Sequence, residues 1–335
     1  MAPHPRRKPR IDVHVHLAGV GTDGSGCWTS ARFRWRYTFL FLRIAYGIGP
    51  RQMRTTVDGD WARLIAERTA ASELDHAVAL GFDGVYDERG ALDRGRSQMI
   101  VPPDWVFTVC ERHPELLPGP SVNPHRADAL ERLEECIERG AVLIKWLPIV
   151  QMIDPTSPRI RPFLRRVADA GIPLLIHAGT GERTFREVAR EFMDVRLLVP
   201  ALEAGVKVIC AHSAAPVHAS SERNQIPELR ELLRRYPGLW VDNSGIANPA
   251  RFAHLHRLAR DPLIAERTLH GSDYPVPSDA VYYAGRIGPR RVWRIERERN
   301  KLQRDLEIKR ALGFGEASFT RASGVLANLG RWCQL

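Results

Sequence analysis

Cysteine is scarce in this chain and poorly placed for chemistry. Cys27, Cys110, Cys136, Cys210 and Cys333 lie far apart among 335 residues, with no CxxC pair. That argues against a disulfide framework or a cysteine metal site and suits a reducing compartment, so a cytoplasmic protein is expected. Long hydrophobic runs are missing too. No stretch holds the roughly 20 apolar residues of a membrane span, so no membrane partner is expected. Arg6, Arg7, Lys8 and Arg10 lead straight into an apolar strand, without the h-region of a secretory signal. Internal repeats, low-complexity tracts and clear linkers are absent. So is a GxGxxG: His-Leu-Ala-Gly-Val-Gly, residues 16–21, follows the first strand, which disfavours an open dinucleotide-binding sheet.

What remains is ordinary in composition, 44% hydrophobic and 26% charged, and long enough to bury a large core. The formal charge is +10. Taken alone it would suit an acidic partner such as nucleic acid. Much of the excess, however, sits at 286–310, where arginines and lysines mix with Glu296, Glu298, Asp305 and Glu307. Mixed signs at helical spacing predict a salt-bridged exposed helix, and no nucleic-acid partner is expected.

Short apolar runs alternate with amphipathic stretches. The expected strands are Ile11–Leu17, Val78–Tyr86, Leu117–Val122, Val142–Leu147, Leu174–Ala178, Val206–Ala211, Leu239–Asp242 and Thr268–Gly271. Helical patterns cover Ala127–Arg139, with Leu130, Leu133, Cys136 and Ile137 on one face, then Phe163–Ala170, Phe185–Phe192, Pro227–Tyr236 and Arg251–Arg260. Lys145 to His177 is 32 residues and His177 to His212 is 35, each about one strand–helix unit of roughly 30 residues. Eight such strands predict a (β/α)8 TIM-like barrel in a single domain over 1–335. The barrel core spans about 11–280 and a helical C-terminal extension about 281–335. Residues 18–60 form an insertion after strand one. Its aromatic, basic part, 33–48, reads as a lid or a contact between copies in a homo-oligomer, or as a helix packed on the rim.

Residues 12–16 read Asp-Val-His-Val-His. Alternation puts His14 and His16 on one face, able to grip one cation, with Val13 and Val15 on the other. Lys145, His177, His212 and Asp273 each end a later apolar run. In a barrel these positions share the C-terminal mouth, where catalytic side chains gather. Six polar groups there would be costly unless satisfied, and a bound cation would satisfy them together. A plain Lys145 ammonium would repel that cation. Softer substrate contacts are Arg126, Asn243 and Trp146, with Asp87, Glu88, Asn123, His125, Pro148, Ser244 and Tyr274 at neighbouring strand ends. Each also reads as a turn, a cap or packing. His4, His76, His113, His254, His256 and His270 read as surface or core residues. His218 follows strand six.

With DVHVH, IKWLP, IHAG, AHS and HGSDYP in order over residues 11–277, the chain resembles the amidohydrolase superfamily, in its branch of amidohydrolase-related, metal-dependent hydrolases. The resemblance implies a distorted barrel holding one or two divalent metals. His14 and His16 match the first-strand metal pair, and Asp273 matches the last-strand ligand that takes a proton from the attacking water. His177 and His212 match the ligands of a second metal, with Lys145, carboxylated, bridging the two. With one metal, His14, His16, His177 and Asp273 bind it and His212 polarises the substrate. Zinc is the first expectation, with manganese, iron and cobalt as alternatives. The expected activity is hydrolysis of an amide, ester or lactone of a small molecule, by metal-activated water with Asp273 as general base and His212 and Lys145 assisting. A one-metal decarboxylase, with Arg126 or an uncarboxylated Lys145 holding the carboxylate, is the alternative. A non-catalytic basic binding protein is the further one.

Overall fold

A computed structural model describes residues 7–217 and 222–333; His4 and His218 lie outside them. Eight short strands form the frame: β1 (Ile11–His16), β2 (His76–Leu80), β3 (Leu116–Gly119), β4 (Ile144–Trp146), β5 (Leu174–Ile176), β6 (Val208–Cys210), β7 (Leu239–Asp242) and β8 (Thr268–Leu269). All pair in parallel and in sequence order, β1-β2-β3 in one sheet and β4 to β8 in another. The architecture is the expected (β/α)8 barrel, with a ladder broken at two seams.

A few scattered backbone bonds bridge those seams. Between β3 and β4, Val142 N donates to Pro118 O and Lys145 N to Pro120 O, both at 2.9 Å. Prolines can accept across a seam but not donate, so no full ladder forms there. Between β8 and β1, Val13 N donates to His270 O at 2.9 Å and Asp273 N to His14 O at 2.8 Å.

Alternation divides the core into two layers. Ile11, Val13, Val78, Leu80, Leu143, Leu175, Ile209 and Leu269 fill the barrel. Ala77, Ile144, Trp146, Leu174, Ile176, Val208 and Val241 face the helices. Val15 lies in the helix-facing layer but Val13 in the barrel, because the β1 register breaks between Asp12 and Val15. The break lets Val13 fill the interior while His14 still turns into the mouth above it.

Three expected elements differ. Strand two ends at Leu80, since the Asp83 carboxylate takes Gly84 N at 2.7 Å and Asn123 N at 2.8 Å and curls the chain into a loop. The 185–192 segment is not helical: Val188 N and Ala189 N donate to Ile149 O, leaving one 3-10 turn at Arg190–Met193. Past the end of the short helix Ala284–Ile287, the 286–310 segment is two helices, Pro289–Glu296 and Lys301–Ala311, separated where Asn300 caps Leu302 N. The second is not an exposed salt-bridged helix; it buries Leu302, Arg304, Asp305, Leu306, Ile308 and Lys309. On the Ala129–Glu138 helix, Leu133 and Cys136 are buried as expected while Leu130 is exposed.

Beyond it, Ala322, Val325, Leu326 and Leu329 join the interior cluster and plug the end of the barrel opposite the site. The insertion holds the short helices Ala31–Arg34, Tyr37–Ala45 and Gln52–Thr55 before the helix Val57–Ala70. Its start is gathered by the buried Asp58 carboxylate, which accepts from Val20 N, Gly21 N and Ser25 Oγ. Its middle rests on the mouth: Arg36 and Thr38 donate to Thr184 O, and Tyr46 to Pro275 O. Trp35, Tyr37, Phe41 and Ile44 stay exposed. Among the described residues no helix is long and apolar enough to cross a membrane.

Candidate metal centre

The mouth brings together the side chains that end β1, β4, β5 and β6 with those after β7 and β8. His16 Nε2 lies 3.0 Å from Asp273 Oδ1, and His14 Nε2 lies 3.5 Å from the same oxygen. The His14 ring centre is 5.0 Å from that of His16 and 5.1 Å from that of His212, which is 5.0 Å from that of His177. Lys145 Nζ sits 3.3 Å from His14 Nε2. His14, His177, Lys145 and His212 are almost wholly buried, and Asp273 is 7% exposed.

Backbone strain aims two of them. His212, Ser213 and Ala214 have φ of 56°, 51° and 53°, and Asp273 has 64°. Non-glycine residues rarely adopt this region, and where they do the surroundings must hold them. Asp242 accepts His212 N at 2.7 Å, and His14 O accepts Asp273 N. Gly245 is required here: it has φ +58° and an added Cβ would stand 2.3 Å from Asp273 Oδ2. Gly245→Ala should therefore dislodge the carboxylate and weaken any divalent-metal binding by about 10–100-fold. Competition with a chromogenic chelator would read this, and unchanged affinity would refute it.

The local charges favour ligation. Burial, then the Lys145 charge, pushes His14 down to about 4 against the pull of Asp242. Burial, then Arg251, takes His212 down to about 3, and burial holds His177 well below the usual value. Burial would raise Asp273, but His212, His16 and His14 outweigh it and hold the carboxyl well below its ordinary range. Neutral imidazoles beside an ionised carboxylate are the protonation states a metal requires, and the N/O donor set suits zinc and its neighbours. His14, His16 and Asp273 have ligand atoms within 4.8 Å of one another. His177 and His212 could extend that set. Burial pushes Lys145 down to about 8 against Asp242 and Asp273.

The softer contacts fare differently. Arg126 is already neutralised, with its Nε 2.8 Å from Asp128 and its Nη1 3.3 Å from Asp83. Trp146 points outward, its ring against Phe163 and its Nε1 donating to Val122 O at 2.8 Å. Asn243 is fully buried and accepts Gly271 N through Oδ1 at 3.1 Å. His270 is fully buried beside Phe319, as a core residue should be.

Two residues near the centre were missed. Asp242 is fully buried and touches both His14 and His212. Its signal was alternation: Leu239 and Val241 face outward, so Trp240 and Asp242 face inward, and Asp242 does so at the mouth. Arg251, 5% exposed, reaches Thr180 Oγ1 at 3.1 Å and Ala215 O at 3.1 Å. It opens a helical pattern, and nothing local marks it as a mouth residue.

A sequence profile of the amidohydrolase family matches residues 11–292. No curated protein matches in sequence. Solved structures share the fold. An uncharacterised TIM-barrel protein from Bordetella bronchiseptica is 17% identical, with 94% of this chain and 99% of that one covered and a TM-score of 0.53. A protein from Pseudomonas putida, provisionally assigned as a 2-pyrone-4,6-dicarboxylic acid hydrolase, is 18% identical, with 97% of each chain covered and a TM-score of 0.54. An amidohydrolase from Burkholderia multivorans is 12% identical, with 95% and 99% covered and a TM-score of 0.54. The chain belongs to the amidohydrolase family and is an enzyme of that type.

Proposed function

We propose that this amidohydrolase cleaves an amide, ester or lactone of a small molecule, in the cytoplasm, with no nucleic acid or membrane as partner. The observation that supports it most is the convergence of His14, His16 and Asp273 on one point, with His177, His212 and Lys145 around it. His14, His16, His177, His212 and Asp273 would hold one or two divalent ions, zinc first. Such an ion, when bound, lowers the pKa of a water toward about 7 and polarises a carbonyl. Asp273, ionised and facing the two first-strand histidines, accepts the water's proton and passes it to the leaving group. His212 stands opposite Asp273, its Nδ1 4.0 Å from Asp273 Oδ2, where its other ring nitrogen could serve as a ligand.

Lys145 separates the one-ion and two-ion forms. Among the described residues no carboxylate lies within 4.0 Å of its Nζ. A bare ammonium beside His14 Nε2 would oppose an incoming cation. Carboxylated, it becomes an anionic bridging ligand, and its lowered pKa favours the free amine that adds carbon dioxide. We expect two ions per chain by elemental analysis, with a mass gain of one carbon dioxide on Lys145. One ion with an unmodified lysine would overturn the bridge and make Lys145 a substrate contact.

A second reading, decarboxylation, is favoured by Arg251. It is a buried guanidinium with no carboxylate within 4.0 Å among the described residues. A substrate carboxylate would meet that charge, the task sequence reasoning gave to Arg126. Carbon dioxide release during turnover would establish it over hydrolysis. The exposed Trp35, Tyr37, Phe41 and Ile44 are the surface through which copies of this chain would associate.

A further inference from the structure

Asp242 is engaged through both oxygens. Its Oδ2 faces His14 Nδ1 at 2.8 Å. Its Oδ1 accepts His212 N at 2.7 Å, Ser244 N at 3.0 Å and Ser244 Oγ at 2.5 Å. Ser244 Oγ in turn lies 2.9 Å from His14 Nδ1 and 2.9 Å from His212 Nδ1, and Ser244 O lies 2.9 Å from His212 Nδ1. Both residues are fully buried. One tautomer of each ring satisfies this arrangement. A carboxylate and a carbonyl only accept, so His14 and His212 must both carry their proton on Nδ1. Both Nε2 lone pairs are then left free, and that of His14 points at Asp273 and Lys145.

We infer that Asp242 and Ser244 are positioning residues: one buried hub at the end of β7 that fixes the tautomer and aim of two candidate metal-ligating histidines, one on β1 and one just after β6. The inference rests on the metal-site reading above. Asp242 could itself be counted as a ligand, because it forms a tight group of donor atoms with His14 and His212. Its surroundings argue otherwise. Its two oxygens already meet four donors, and an ion at Oδ2 would have to displace the His14 Nδ1 proton. A carboxylate that accepts from the far nitrogen of a ligand histidine orients the ring and makes it a better donor.

The test uses Asp242→Asn and Ser244→Ala in the full chain. The asparagine keeps the shape of the aspartate but has one acceptor oxygen for two sets of donors. If its amide nitrogen turns to His14, the ring must move its proton to Nε2, the atom aimed at the metal. Long-range proton–nitrogen NMR spectra of 15N-histidine-labelled, metal-free protein read the tautomers directly. The natural chain should show both rings protonated on Nδ1, and Asp242→Asn should shift His14 to the other form. Zinc affinity, measured against a competing chelator, should fall by about 100-fold for Asp242→Asn and about tenfold for Ser244→Ala. The visible spectrum of the cobalt-loaded protein should change with it. The urea midpoint of the metal-free protein reports folding separately, and Ser244→Ala carries the test if Asp242→Asn does not fold. Unshifted tautomers with zinc affinity within about twofold of the natural chain in a folded variant would overturn the hub. So would a natural His14 protonated on Nε2. If the natural chain binds no zinc at all, the metal reading falls, and the tautomer spectra still decide the hub.

Discussion

Asp273→Asn should lower kcat/KM for any accepted substrate by about a thousandfold or more, while shifting the urea midpoint little. General-base assistance contributes roughly 100- to 10,000-fold, and here the same group also faces two candidate metal ligands. The amide is close to isosteric, so the left-handed backbone at 273 and its bond to His14 O are retained. What is lost is the charge that His212, His16 and His14 stabilise, and with it the ability to take a proton. Metal content should fall in the same variant, since an amide oxygen is a poorer ligand than a carboxylate oxygen. Steady-state kinetics and elemental analysis would check this. A variant retaining more than about a tenth of natural activity would remove Asp273 from the proton path.

The largest effect on stability is expected at a buried pair outside the candidate ligand set. Asp305 and Lys309 form a buried pair one turn apart on the Lys301–Ala311 helix, with Lys309 at 0% exposure and Asp305 at 1%. Ser278 Oγ donates to Asp305 at 2.7 Å, and Lys309 Nζ donates to Gly271 O, two residues before Asp273. Asp305→Ala would leave the Lys309 ammonium, among the described residues, with no carboxylate within 4.0 Å in a dry interior. Breaking one partner of such a pair costs about 3–5 kcal/mol, because the remaining charge is uncompensated. Urea unfolding of the metal-free chain would read it. The double variant Asp305→Leu with Lys309→Met should recover much of the loss, since it removes both charges at once. A single-variant loss below about 1 kcal/mol would contradict this account of the pair.

The barrel and much of its mouth were legible through alternation, although His14 and His212 depart from strict alternation. A parallel strand puts every second residue inward, and its last inward residue stands at the mouth. Lys145 and His177 obey that rule after Leu143 and Leu175, whereas His212 lies three residues after Ile209 and reaches the mouth through its left-handed turn. Asp242 obeys it too, but a lone carboxylate ending an LWVD run carries no mark of its own beside a run such as LLIHAG. Asn243 and Trp146 were drawn in by adjacency, although a neighbour in sequence points the opposite way. Arg126 was read without its local partner Asp128, two residues on, and without Asp83, which the loop after β2 brings to it. The buried face of 301–311 was hidden because Arg304, Asp305 and Lys309 read as solvent-facing charges until their partners are known. Arg251 could be placed only by tertiary structure.

The seam between β8 and β1 has a mechanical consequence. His16 and Asp273 are 257 residues apart in sequence, and they face each other across a join that no continuous ladder closes. A ligand bound to both would act as a rivet between the first and last staves of the barrel. In the unfolded chain such a link would close a ring spanning 257 residues, and the entropy of closure grows with loop length. Occupancy of the centre and closure of the barrel would then rise and fall together, with hydrogen exchange slowing first at the amides of Val13, His16 and Asp273.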